Sequence, residues 1–319
     1  MNKVEFSSEE IQAFVARPRY DPAVILSKDA ACPRISVIVP SFNQAQFLER
    51  TFLSILNQNY PNTEIIVMDG GSRDGSVEII QRYAPYISYW TSDPDKGQPS
   101  AINKGFEKAS GDLVGWQNSD DLYLPGFFHV IAESFRVYPR AQLFTGNIYT
   151  VDETDHITWA SRFPPFSANH LIYLDWNLSS QAVFLKRQLA TQVGPLREDI
   201  PIGFDWDWFI RVGKVMQPHG SILHRVYGGC YRIHSASKFS TQAYESRWRI
   251  ETQILRSHGI RVKEELPYLQ QPWWQRRFFQ FRMKAFNFLL YKPAPLFQHL
   301  RPLFIWFLAK VGTVCEGFA

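Results

Sequence analysis

Asn118-Ser119-Asp120-Asp121 places two adjacent carboxylates beside an amide and a hydroxyl. Carboxylate oxygens are hard ligands suited to Mg²⁺ or Mn²⁺, and such ions usually complete their shell with substrate phosphate oxygens. The same residue types also favour turns and helix caps, so alone the tetrapeptide is open between a cation site and a turn. Asp205 and Asp207 stand among Phe204, Trp206 and Trp208. A carboxylate desolvated by aromatic neighbours is suited to take a proton from a hydroxyl. The plainer alternative, strongest for Asp207, is a helix cap with the tryptophans in the core. His234, in Tyr231-Arg232-Ile233-His234-Ser235, is either a structural histidine or, beside an acidic site, within reach of a metal or a diphosphate.

Two loops add candidates for anion and ring binding. In Asp69-Gly70-Gly71-Ser72-Arg73-Asp74-Gly75 the glycines permit close approach of backbone to a ligand, and Asp69 can accept a hydrogen bond from a base or ribose. A tight connection without a ligand explains the same residues. Between Asp93 and Gly105, Lys96 and side-chain amides such as Asn103 stand near the start of a helix, where an anion is favoured. An ordinary solvated turn is the competing reading.

These residues need elements to hold them. The continuous apolar run 35–39, before Pro40, reads as a buried parallel strand. Strands follow at 64–68, 87–91 and 113–116, with helices at 45–57, 77–83 and 99–108 between them. Each polar cluster follows a strand end. A βαβ series builds a parallel sheet, and ligands of such sheets sit beyond the carboxyl ends of the strands. The clusters are therefore expected to converge. Later segments read as strands at 143–149 and 157–161, a helix from 206 to 212 and an extended stretch at 225–233. Ser8 is the expected cap of a short helix before the series.

The bulk properties set outer limits. The chain has 319 residues, 45% hydrophobic and 20% charged, an ordinary globular balance. A net charge of +4 argues against nucleic acid as a partner. Three scattered cysteines, Cys32, Cys230 and Cys315, point to a reducing compartment rather than a disulfide framework. Neither a signal-peptide pattern nor a bilayer-length apolar run is found, so a cytoplasmic location is expected. Walker and Gly-x-Gly-x-x-Gly loops, His-x-x-x-His pairs and Gly-x-Ser-x-Gly elbows are absent, which leaves ATPases, dinucleotide enzymes, zinc peptidases and serine hydrolases without support. Residues 272–319 carry seven Lys or Arg against Glu316, a net of +6, among Trp273, Trp274, Phe278, Phe279, Phe304 and Trp306. Helices of this composition can lie in a membrane interface, on the inner face of the cell membrane. Packing on the domain or on a partner subunit accounts for them equally.

Taken in order, the motifs resemble those of the family 2 glycosyltransferases of GT-A fold. Ile35-Ser36-Val37-Ile38-Val39-Pro40-Ser41-Phe42-Asn43 resembles the family's opening strand and nucleotide-contact turn, and the 69–75 loop the one whose first aspartate contacts the base. Asp95-Lys96-Gly97 and Ala101-Ile102-Asn103-Lys104-Gly105 resemble the helix facing the diphosphate. Asn118-Ser119-Asp120 sits at the Asp-x-Asp position, Phe204-Asp205 at a Glu-Asp position, and Arg232-Ile233-His234 at a late segment closing over the diphosphate. Asn118 and Phe204 each replace an acid of the family pattern.

The resemblance covers 34–240. It implies a GT-A domain with a central, mostly parallel sheet flanked by helices, between a 1–33 extension and a 241–319 helical, basic-aromatic tail. It further implies inverting transfer from a nucleotide-diphosphate sugar, a UDP-sugar foremost, to a glycan or lipid-linked acceptor hydroxyl in cell-envelope or surface polysaccharide synthesis. Asp205 would be the catalytic base. Pro40, Ser41, Asn43, Asp69, Asp93, Lys96, Asn103, Asn118 and Ser119 would bind the donor, while Asp120 and His234 would hold Mg²⁺ or Mn²⁺. Two rival readings fit the same residues. A non-catalytic sugar-nucleotide-binding protein on the same fold would suit Asn118 and Phe204. A nucleotidyltransferase would need a Gly-rich basic signature where this chain has Pro40-Ser41-Phe42-Asn43.

Overall fold

The computed structural model describes residues 5–173, 177–237 and 244–260. Two compact units are defined, Met1–Ile254 and Leu255–Ala319, and the features below belong to the first. The aromatic tail at 272–319 lies outside the described residues.

Among the described residues, nine strands form one sheet. Its first half is β1 (Ile35–Ser41), β2 (Thr63–Asp69), β3 (Tyr89–Ser92) and β4 (Leu113–Trp116), all parallel, in the order β3-β2-β1-β4. Helices α3 (Ala45–Leu56), α4 (Ser76–Tyr83) and α5 (Gln98–Lys108) make the crossovers. The apolar runs are continuous because both faces are covered. Val37, Val39, Ile65 and Val67 pack on one face with Leu48, Phe52 and Ile80, whereas Ile38, Ile66 and Met68 pack on the other with Ile102, Trp208 and Phe209. The α5 helix lies so close to β1 that a Cβ on Gly105 would sit 2.3 Å from Ile38 Cγ2.

The second half is mixed. Beyond β4 come β8 (Val183–Lys186), β6 (Leu143–Val151), β9 (Ser221–Arg232) and β5 (Leu122–Tyr123), with β7 (Ile157–Ser161) antiparallel on β6. The β8 strand runs antiparallel to β4 and β6, and β9 runs parallel to β6. Helices α6 (Phe127–Val137), α7 (Ala168–Tyr173), α8 (Arg187–Val193) and α9 (Phe204–Val215) complete this half, and α10 spans Tyr244–Ser257.

Some boundaries differ from the sequence reading. Pro40 does not close β1, which continues to Ser41 paired with Asp69. The first helix, α1 (Ser8–Val15), is capped by Ser7 rather than Ser8: Ser7 Oγ accepts from Glu10 N–H at 3.3 Å while the Glu10 carboxylate accepts from Ser7 N–H at 2.9 Å. This reciprocal pair satisfies two otherwise orphaned donors. Ser8 Oγ instead accepts from Ile157 N–H. The N-terminal segment packs on the domain, with Ile11 and Val15 buried against Leu122, Leu124 and Tyr149. The second helix, α2 (Pro22–Ser27), has Asp21 as its cap. Cys32 and Cys230 are free thiols.

Candidate active site

Register brings the loops together. Ser41 stands opposite Asp69, and Asp69 opposite Ser92, while Gln117 N–H donates to the Ile38 carbonyl just beyond β4. Four strand ends therefore open onto one edge of the sheet. A cleft of about 1230 Å³ lies there, lined by Pro40, Ser41, Phe42, Asn43, Arg73, Asp95, Gln98, Asn118, Ser119, Asp120 and, from the far side, Asp205 and Trp206. The volume exceeds the roughly 300–1,000 Å³ of ordinary small-ligand pockets, which leaves room for two substrates.

One wall is the 118–121 loop. His234 Nε2 lies 3.0 Å from Asp120 Oδ2, and the imidazole packs on Phe47 at 4.7 Å between ring centroids. Behind it Asp121 is fully buried. Its carboxyl accepts from Arg232 N–H at 2.8 Å, Gln181 Nε2 at 2.7 Å and Asn118 Nδ2 at 2.9 Å. Burial first, and the neighbouring Asp120 second, push this carboxyl up to about 8. Asn118 thus spends its amide within the protein, because its Oδ1 also accepts from Gln98 Nε2 at 2.7 Å. The substitution of Asn for an acid there supplies the donor that a carboxylate beside Asp121 would lack.

The opposite wall is the first turn of α9. Gly203, at φ 73°, turns the chain into the helix, a conformation that favours glycine. Asp205 then stands on the cleft with Oδ1 accepting from Trp206 N–H at 2.9 Å. Asp207 points the other way and is buried, paired with Arg211 at 3.0 Å and Arg197 at 3.8 Å. Trp206 donates to the Leu171 carbonyl and Trp208 to that of Gly194, so these rings are structurally committed.

Not every residue singled out in the sequence reaches the cleft lining. Asp69 is buried and its oxygens are taken by Gly71 N–H, Ser72 N–H, Ser72 Oγ and Ser92 Oγ; it shapes the loop. Asn103 braces 196 instead, donating to the Leu196 carbonyl and accepting from Leu196 N–H. Lys96 lines a separate shallow pocket with Asn103, and Asp93 pairs with Thr91 Oγ1. Ser41 lines the cleft, while its Oγ is buried and makes no hydrogen bond among the described residues. Asn43, at φ 51°, cross-links to the β2 loop through Ser72 Oγ and Arg73 N–H. Asp74 caps α3 from across the sheet edge by accepting from Ala45 N–H at 2.9 Å. Its burial is outweighed by bonds from the Ser76 hydroxyl and from backbone amides, which hold it below the usual carboxylate range. Residue type alone gave no sign of Gln181 or Gln98; both matter through long-range contact.

The chemistry of the wall fits a divalent cation: Asp120 offers oxygen and His234 nitrogen, a pair compatible with Mn²⁺ or Mg²⁺ that leaves coordination positions for water and phosphate. Among the described residues no cluster of three or more His, Cys, Asp or Glu is assembled, so a ligand would have to complete the shell.

A sheet of this order with a cleft at its strand ends defines a domain of GT-A fold, and comparison with known proteins agrees. The Glycosyl transferase family 2 model matches residues 36–195. An uncharacterized glycosyltransferase of Mycobacterium tuberculosis is 31% identical over 194 residues, covering 59% of this chain and 72% of the relative. A PGL/p-HBAD biosynthesis glycosyltransferase of Mycobacterium bovis is 28% identical over 185 residues, covering 57% and 70%. In fold, S. aureus TarS 1–349 in complex with UDP-GlcNAc superposes with a TM-score of 0.59 at 16% identity, covering 83% of this chain and 77% of that one. The chain belongs to glycosyltransferase family 2 and is a glycosyltransferase.

Proposed function

We propose that this enzyme transfers a sugar from a nucleotide-diphosphate sugar to an acceptor hydroxyl in one displacement with inversion. The observation that carries the reading is that Asp120, paired to His234, and Asp205 line one cleft from opposite walls. Asp205 would take the acceptor proton as the acceptor oxygen attacks the anomeric carbon. The bond from that carbon to the diphosphate oxygen breaks as the new one forms, and the nucleoside diphosphate leaves with the electron pair. A cation held by Asp120 and His234 would offset charge on the departing diphosphate. Ser41, Asn43 and Ser119, on the strand-end side, would hold the donor, and the apolar side chains around Trp206 would lie toward the acceptor. Lys96, on the neighbouring pocket, and Asp69 and Asn118, through their loops, would act less directly.

The UDP-GlcNAc complex of TarS supports a UDP-sugar as donor, and the M. bovis relative, a PGL/p-HBAD biosynthesis glycosyltransferase, supports a biosynthetic reaction. The acceptor would be a glycan or a lipid-linked glycan, reached at a membrane face through the basic tail; among the described residues no helix is long and apolar enough to cross a membrane. A thermal-shift screen of nucleoside diphosphates and their sugars, with and without Mn²⁺, tests the reading. A Tm rise for one nucleoside diphosphate that depends on Mn²⁺ is expected. Absence of any rise across the panel would refute it.

A further inference from the structure

Arg232 is completely buried, a costly place for a guanidinium. Its Nη1 lies 2.5 Å from Asp155 Oδ1, an equally buried carboxylate in the turn between β6 and β7. Asp155 is held on its other oxygen by Arg50 Nη1 at 2.8 Å, and its backbone adopts φ 69°. Both guanidinium groups flank the Phe47 ring, at 4.8 Å for Arg232 and 5.5 Å for Arg50. Neither Asp155 nor Arg232 lines the cleft.

What Arg232 does reach is the cleft wall. Its Nε donates to the Asp120 carbonyl at 2.6 Å and its own N–H donates to Asp121 Oδ1 at 2.8 Å. Phe47, under the guanidinium, also carries the imidazole of His234, which bonds the Asp120 carboxylate. Asp120 is therefore gripped by main chain and side chain from one buried assembly. The α1 helix holds that assembly in turn: Gln12 Nε2 donates to the Thr154 carbonyl and Ser8 Oγ accepts from Ile157 N–H, on either side of Asp155. Buried ion pairs are often replaceable by apolar residues without loss of stability. Here the guanidinium also spans from the ion pair to the Asp120 carbonyl through Nε, a reach that apolar packing lacks.

We propose that Asp155 is a positioning residue that, through Arg232, fixes the backbone of Asp120 and thereby the cation-facing wall of the cleft. The metal arm of the test rests on the reading of Asp120 under Proposed function; the exchange arm does not. Asp155→Asn keeps the shape and removes the charge. Arg232→Lys keeps the charge but lacks the fork that reaches Asp155 and the Asp120 carbonyl together. Ile80→Val, in the core between the sheet and its helices and outside the Arg232 assembly, serves as a control for destabilisation alone. Mn²⁺ affinity is measured in the presence of UDP by the paramagnetic resonance of free Mn²⁺, together with amide hydrogen exchange and Tm.

Both positioning variants are expected to weaken Mn²⁺ binding roughly 10–100-fold, the usual effect of losing a residue that orients a metal ligand. They should also speed exchange of the Asp121 and Arg232 amides about tenfold or more, at unchanged exchange of β1 and β2. Ile80→Val should lower Tm and leave both readouts as in wild type. Should Asp155→Asn fail to fold, Arg232→Lys decides. Wild-type protein that binds no Mn²⁺ removes the metal reading, and exchange alone then judges the positioning. A folded Arg232→Lys protein with wild-type exchange at 121 and 232 overturns the proposal.

Discussion

Asp205→Asn separates proton transfer from everything else the first turn of α9 does. The Asp205 Oδ1 bond to Trp206 N–H, 2.9 Å long, can be made by an asparagine carbonyl, so the turn should keep its shape. Two losses remain. A negative charge is removed near a helix N-terminus, where it is worth about 0.3–1 kcal/mol; for a domain of this size that lowers Tm by only about 1–4 °C. The amide also cannot accept the acceptor proton. General-base catalysis contributes roughly 10²–10⁴-fold, or about 3–5 kcal/mol at 1.36 kcal/mol per decade. Donor binding should persist, because the residues assigned to the donor stand on the strand-end side of the cleft. The assay couples nucleoside diphosphate release to a spectrophotometric readout at saturating donor and acceptor, with donor affinity measured separately by calorimetry. A fall in kcat by two or more decades at unchanged donor affinity is expected, with near-wild-type Tm. Turnover within about threefold of wild type, which is below 1 kcal/mol of barrier, would remove Asp205 from proton transfer. Equal loss of donor affinity and kcat would instead make it a donor-binding residue.

Three further outcomes follow from the packing and the hydrogen bonds. Glu64 is buried, which would raise its pKa, yet bonds from the Ser36 hydroxyl and from Ser110 N–H and Oγ, with the Arg34 guanidinium, hold it below the ordinary 4.5. A lowered folded-state pKa gives stability present above the unfolded value and lost as pH falls through the folded one; the denaturation gap between wild type and Glu64→Gln should be full at neutral pH, about 1.5–3 kcal/mol, and close below 4.5. Gly105→Ala should cost about 1–3 kcal/mol through its 2.3 Å clash with Ile38, and a double-mutant cycle in urea with Ile38→Ala should return a favourable coupling; independent effects would contradict the close approach. Asn118→Asp should lower Tm and nucleoside diphosphate affinity, because it replaces the donor to Asp121 Oδ2, 2.9 Å away, by a second acceptor; a rise in both would show that an acid is preferred there.

The amino-acid sequence by itself determined the parallel half of the sheet. Runs such as 35–39 and 64–68 are apolar on both faces, helical periodicity separates them, and polar clusters close each one, so local pattern sufficed to place four strand ends on one edge. Recognition of the motifs also put Asp120 and Asp205 in one site. Short strands such as β5 and β8, and the α6, α7 and α8 helices, were not legible, since a two- to four-residue strand has no period to detect and its pairing partners lie far along the chain, as Leu122 from Cys230 and Leu113 from Lys186. Only the tertiary structure decided which polar residues face the cleft. Asp69, Asn103 and Asp207 carry the right chemistry in the sequence, but their hydrogen bonds are spent on Ser72 and Ser92, on Leu196, and on Arg211. Asp155 and Gln181 offer no motif, and Arg232 entered the sequence reading only as a neighbour of His234; their importance arises where β9, the β6–β7 turn and the residues before β8 meet behind Asp120 and Asp121. A residue type states which bonds a side chain can make; the fold determines which partners come within reach.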